Sequence, residues 1–390
     1  MTSLNKNRIE SIDLLKGLVM VIMALDHTRD YFHASAFLFN PTDPTQTSWP
    51  IFLTRWITHY CAPAFCFLAG LSAFFVGKRK TASELSGFLL KRGLWLVFIE
   101  FTIVNFGWYF DIYFSNFDFL VIWSLGISMI VLAGLIHLPR TIILIFSCVL
   151  IFGHHLLDKI HFDGSLLWGV FHEAHIYSFP NGLHVYTDYP IIPWIAVMSL
   201  GYYFGTFYDQ SFDQARRKKL MNIIGLSAIV LFIVLNWSNL YGDPDGWMKY
   251  DTLSKTMMSF LDPQKYPPSL LYLLMTLGPS LLFLANVENV KGSVVNVFSM
   301  FGRVPFFFYI LHIFLIHLVA LVAAEATGFG WQKMILSNWL TEVPELKGYG
   351  FSLWAVYLIW VGVIVALYPL CKRFDVYKLN HKEKWWLSYL

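Results

Sequence analysis

The sequence predicts an all-α polytopic membrane protein with about ten transmembrane helices and both termini in the cytoplasm. Three observations predict it. Of 390 residues, 57% are hydrophobic and only 14% are charged, against about 25% charged in ordinary soluble domains. The apolar residues gather into runs of about 20, the length of a helix that crosses a bilayer. Lys and Arg concentrate in alternate connections, as they do in cytoplasmic loops.

The apolar runs fall at 11–34, 50–77, 88–110, 117–137, 140–157, 190–208, 219–237, 268–287, 300–323 and 350–371. Lys6 and Arg8 precede the first. Lys78, Arg79 and Lys80 follow the second, and Lys91 and Arg92 lie near the start of the third. Arg140 follows the fourth, and Arg216, Arg217, Lys218 and Lys219 follow the sixth. Lys291 and Arg303 bracket the loop after the eighth, and Lys372, Arg373, Lys378, Lys382 and Lys384 fill the tail. The opposite loops, 158–189, 238–267 and 324–349, are long and sparsely basic. The positive-inside rule therefore puts both termini in the cytoplasm, and an even number of spans agrees. The net charge of +3 is a topology signal, not a nucleic-acid footprint. We expect one transmembrane domain over 1–390, with 372–390 as a basic cytoplasmic tail. The first apolar run is too long for a cleaved signal peptide and should stay as an anchor. Cys61, Cys66, Cys148 and Cys371 form no CxxC motif and read as packing residues.

The first run is unusual in its charge. Residues 8–36 contain Asp13, Lys16, Asp26, His27, Arg29 and Asp30. Each ionisable group at membrane depth costs about 2.5–3.5 kcal/mol on insertion scales and marks a pathway or a site. At about 100° per residue, Lys16 and His27 return to nearly the same face. Asp30 lies about 40° from that line, Asp13 about 60°, Asp26 about 80° and Arg29 about 140°. Lys16 and His27 are about 16 Å apart along the axis. A cation at the inner end suits a phosphate, and an imidazole at the outer end suits a general base. Asp26 or Asp30 would orient that imidazole, while Arg29 would pair with Asp26 or with a neighbouring helix. A structural ion-pair ladder is the competing reading of the stripe.

Other polar groups sit in apolar runs. Arg55 and His59 share one face of the second helix and could stabilise a developing oxyanion or contact an acceptor. Glu100 stands alone in the third and needs a partner, with Arg55 or Arg29 expected. His312 lies deep in the ninth run. Arg303, at its inner start, either binds an anionic ligand or obeys positive-inside logic. In the outer loops, YGDPDGW (241–247) and DPQKYPPS (262–269) combine turn residues with large rings. With Trp247 and Tyr266 these packed loops could bind a ligand; otherwise they only cap the bundle. HEAH at 172–175 lacks the ligand spacing of a metal site, so no metal is expected.

Several segments resemble a known family. RIESIDLLKGLVMVIMALDHTRDYF at 8–32 is similar to the start of bacterial heparan-α-glucosaminide N-acetyltransferase-like membrane proteins. The likeness continues in FLTRWITHYCAPAFCFLAGLSAFF (52–75), YPIIPWIAVMSLGYYFG (189–205), KYPPSLLYLLMTLGP (265–279) and FGRVPFFFYILHIFLIH (301–317). The resemblance implies a membrane acyltransferase that takes an acetyl or other short acyl group from cytoplasmic acyl-CoA. It implies a sugar hydroxyl or amine acceptor outside a bacterial inner membrane. The wider group, including the acyltransferase-3 proteins, looks similar in one detail: a basic residue, ten residues, then a histidine, here Lys16 and His27. Lys16, Arg92 and Arg303 would then hold the CoA phosphates. Arg55, His59, His312, Trp247 and Tyr266 would hold the acceptor. The lysosomal members carry an amide where His27 stands and a histidine further on, which His33 in YFHAS resembles. His27, deeper in the stripe, is the preferred base, with His33 as the alternative. Expected partners are acyl-CoA, a glycan or amino sugar and the bilayer, but no nucleic acid; a homodimer is left open. The competing function is a proton-coupled transporter, since buried Asp, His and Arg also line ion pathways.

Overall fold

The computed structural model describes residues 9–388; Lys6 and Arg8 lie outside them. Helices occupy all ten apolar runs. α1 spans Glu10–Phe32. α2 (Trp49–Trp56) and α3 (Cys61–Gly77) join through a single 3-10 turn. α4 (Ala82–Ile99) starts on a capping box, in which Thr81 and Glu84 satisfy each other's backbone N–H. It continues through a π turn at Glu100–Val104 into α5 (Asn105–Tyr109). α6 (Val121–Leu135) and α7 (Arg140–Gly153) follow. After the short α8 (Leu166–Phe171) come α9 (Ile191–Phe204) and α10 (Gln214–Ser238). α11 (Leu253–Phe260) lies in a loop, and α12 covers Leu270–Asn286. The ninth run is two helices rather than one, α13 (Ser293–Arg303) and α14 (Pro305–Ala326). Pro305 keeps Val304 out of the helical region and breaks the chain there. α15 (Leu353–Asn380) ends the bundle.

Among the described residues, six helical segments could cross a membrane by length and composition: Trp49–Gly77, Arg140–Leu157, Ile191–Tyr208, Gln214–Ser238, Pro305–Ala326 and Leu353–Asn380. α6 and α12 are apolar but shorter. The loops at the His27 end carry a small sheet. β1 (Asn116–Asp118) runs parallel to β3 (His184–Tyr186), which pairs antiparallel with β2 (Ile176–Ser178).

α1 is central, packed against α3, α13, α14 and α15. Its charges therefore face protein rather than lipid, where burial among partners is tolerated. The α1–α13 contact depends on two glycines. A Cβ on Gly17 would collide with the Phe298 carbonyl, and one on Gly302 with the Asp13 carbonyl. α3 and α9 meet in the same way, with Gly70 against the Met198 carbonyl and Gly201 against the Phe67 carbonyl. Small residues let backbones approach where lipid supplies no hydrophobic drive for helix association.

A histidine clamp ties the loop after α7 to the start of α12. The Leu270 N–H donates to His155 Nε2 at 2.7 Å, so His155 must donate from Nδ1, to Asp158 at 2.6 Å. His172 donates from Nε2 to the same carboxylate at 2.9 Å. The HEAH side chains are thus drawn to separate partners: His172 to Asp158, Glu173 to His161 and His175 onto Tyr177.

Candidate active site

The C-terminal half of α1 opens into a cavity of about 430 Å³. Asp26, His27, Arg29 and Asp30 line it from α1, and Arg55 and Cys61 from α2 and α3. Trp108, Asp188, Tyr189, Lys265, Tyr266, Tyr309 and Trp339 also line it. Three carboxylates thus face three cations among aromatic rings. That wall suits an amphipathic, ring-shaped ligand with polar edges.

The carboxylates of α1 serve its arginines. Arg29 donates to Asp26 at 3.0 Å and to Asp30 at 2.6 Å, and Arg55 donates to the other oxygen of Asp26. Neither carboxylate bonds His27, contrary to the sequence expectation. Arg29 was expected apart from the stripe, yet its long side chain reaches back to both Asp neighbours and lines the same cavity. The Arg29–Asp26 pair is as expected.

His27 is oriented by a second histidine. Its Nδ1 lies 2.7 Å from His312 Nε2. The rings are nearly parallel, at 16°, with centroids 4.9 Å apart. At that nitrogen separation they meet edge to edge rather than face to face. His312 Nδ1 lies 3.1 Å from the Phe308 carbonyl. A carbonyl only accepts, so His312 carries its proton on Nδ1 and presents a lone pair at Nε2. His27 therefore donates from Nδ1, and its Nε2 keeps the lone pair. Trp108 braces the His27 ring edge-on, at 4.7 Å and 71°. No described residue hydrogen-bonds His27 Nε2, and His27 lines the cavity. The arrangement has the form of a general base.

The other candidates divide. Tyr266 lines the cavity, packed on Tyr189 at 5.4 Å and under Lys265 at 4.9 Å. His312 is fully buried behind His27 and does not line the wall, where an acceptor contact was expected. His59 is buried against Tyr272, outside the wall, because the 3-10 turn at Ile57–Tyr60 rotates it away from Arg55. His33 caps the end of α1, bonded to Ser35 at 2.6 Å, and also stays outside. Trp247 donates to the Asn236 carbonyl at 2.7 Å and packs on Phe260, again away from the cavity. Lys16 donates to Ser72 on α3 at 3.2 Å. Arg92 is half-buried on α4. Arg303 grips Asp375 on α15 with two nitrogens, at 2.6–3.0 Å. That pair reads as a helix-to-helix tie, not an anion site. Glu100 takes neither arginine; it accepts the Trp123 N–H at 2.7 Å.

Asp188 and Lys265 are the charged wall residues that sequence reasoning missed. Both come from outer loops and make no ion pair within 4 Å among the described residues. Burial pushes the Asp188 carboxyl up to about 6, while Lys265 and Arg55 pull it back. Lys265 opens the KYPPS segment already noted for its rings; Asp188 carries no local signal.

The heparan-alpha-glucosaminide N-acetyltransferase catalytic family matches residues 8–238, more than half of the chain. No curated protein matches it. The match covers His27, Arg29, Arg55, Trp108 and Asp188, while Lys265, Tyr266, His312 and Trp339 lie beyond it. The chain belongs to this family and is a multi-pass membrane acetyltransferase.

Proposed function

We propose that this membrane acetyltransferase moves an acetyl or other short acyl group from cytoplasmic acyl-CoA to a sugar hydroxyl or amine on the outer side of a bacterial inner membrane. His27 is its general base. The observation that carries the reading is His27 at the wall of a ring-lined cavity, with Nδ1 2.7 Å from His312 Nε2 and Nε2 bonded by no described residue. The proposed orientation follows from the basic loops, which put Lys16 toward the cytoplasm and His27 outward.

In the proposed step, His27 Nε2 takes the proton as the acceptor oxygen or nitrogen attacks the thioester carbonyl. The C–S bond breaks, and the thiolate recovers the proton from His27. Acyl transfer first to Nε2, then to the acceptor, uses the same lone pair. Arg55, held by Asp26 at the wall, supplies positive charge for the developing oxyanion. Lys16 and Arg92 remain the candidates for the CoA phosphates. The aromatic wall and Asp188 hold the acceptor.

The test is thiol release from acetyl-CoA by the purified chain, with glucosamine as acceptor. His27→Ala should lose at least about 100-fold, while His33→Ala should stay within about threefold, as expected for a group outside the cavity. Full activity in His27→Ala with loss in His33→Ala would move the base to the later histidine. Absence of acetyl-CoA binding by calorimetry would favour the transporter.

A further inference from the structure

We propose that His312 is a positioning residue for the transfer: it fixes the tautomer and aim of His27 without touching either substrate. This rests on His27 acting as the base. The Phe308 carbonyl, 3.1 Å from His312 Nδ1, can only accept. The proton of a neutral His312 is therefore committed there, and Nε2 can only accept. At 2.7 Å, that nitrogen selects the His27 form with its hydrogen on Nδ1. The alternative His27 tautomer would set two lone pairs against each other, and its Nε2 would face the cavity already protonated.

Histidine bases are commonly oriented by a carboxylate. Here the two neighbouring carboxylates of α1 bond arginines instead: Asp26 is held by Arg29 and Arg55, and Asp30 by Arg29. His312 takes that place from α14 and is itself immobilised. Phe308 lies parallel to its ring at 5.2 Å, Tyr309 meets it edge-on at 5.4 Å, and its side chain is fully buried. An imidazole acceptor orients the base without placing a charge beside it. It can also receive the Nδ1 proton if His27 becomes acylated on Nε2, so that the acylated ring returns to neutral.

The experiment uses the full chain with histidine-selective 15N labelling and the acetyl-CoA and glucosamine assay. In wild type, the His27 ring should report hydrogen on Nδ1. His312→Leu should shift it toward the Nε2–H form and lower kcat about 10- to 100-fold, with KM for acetyl-CoA unchanged. His312→Gln, whose side-chain oxygen can accept the same hydrogen, should keep the tautomer and restore kcat to within about fivefold. Should His312→Leu fail to fold, His312→Asn, too short to reach, should differ from Gln in the same direction. Unchanged His27 resonances and wild-type kcat in His312→Leu or His312→Asn, with His27→Ala still inactive, would overturn the role of His312 alone. An active His27→Ala would instead remove the base reading beneath it.

Discussion

The two halves of α1 carry similar charge and do different things. Around Lys16 the helix is pressed onto α13 with backbone against backbone, and Lys16 is bonded to Ser72. Around His27 the same helix borders a cavity of about 430 Å³. Nearby arginines divide the same way. Arg303 is closed on Asp375 in a two-nitrogen tie, whereas Arg55 shares Asp26 with Arg29 at the cavity wall. Buried charge alone therefore does not mark a reaction site. The proposed site is marked instead by a polar atom that no described residue bonds, at a wall whose three carboxylates face three cations.

The largest effect expected from breaking this contrast is at the tight end. Gly302→Leu places a side chain where the Asp13 carbonyl lies. It should abolish a monodisperse peak in size-exclusion chromatography, since α1 cannot move off α13 without unpacking the centre. A monodisperse, active Gly302→Leu would show that the contact is not structural.

The next comparison sets the two arginines against each other. Arg303→Met should lower thermal stability, because it strands Asp375, which is 5% exposed, at a cost of about 3–5 kcal/mol. The acetyl transfer rate per folded molecule should hold. Arg55→Met should lower that rate by about 100-fold, the usual loss for an oxyanion donor. Equal losses of rate in both variants would erase the distinction between tie and site.

The smallest effect is at Asp188. Burial raises its carboxyl from 3.8 to about 6, with Lys265 and Arg55 opposing. An acid raised on folding binds its proton more tightly in the folded state. It stabilises at low pH, and that contribution is lost as pH rises from about 4 to about 6. Asp188→Asn should therefore match wild type near pH 4 and exceed its melting temperature by about 1–3 °C at pH 7.5. A lower melting temperature for the variant at pH 7.5 would mean that the carboxylate, once formed, is well paired.

The sequence made the helices legible because apolar residues gather in long runs, though among the described residues six helical segments, not ten, have the length and composition to cross a membrane. The energetic oddity of its charges also singled out the helix that lines the cavity. Partner choice was much less legible. Helical geometry sets the angle of a side chain but not its reach, and Arg29 crossed the gap that the wheel assigned it. Asp26 and Asp30 looked like the orienters of His27 because they are close in sequence. The true partner, His312, is 285 positions away and meets it edge to edge. Lys265, Asp188 and Trp339 reach the cavity from loops whose path no periodicity encodes. Trp247 shows the converse: a loop ring that packs against α10 and α11 instead of the cavity.

The central claim is that His27 Nε2 addresses the thioester. A cryo-EM structure of the full chain with acetyl-CoA tests it most directly. The acetyl carbonyl carbon should lie within about 3–4 Å of His27 Nε2, on the cavity side, with Arg55 near the carbonyl oxygen. An acetyl group seated against His33, or held at the Lys16 end out of reach of the cavity, would contradict it.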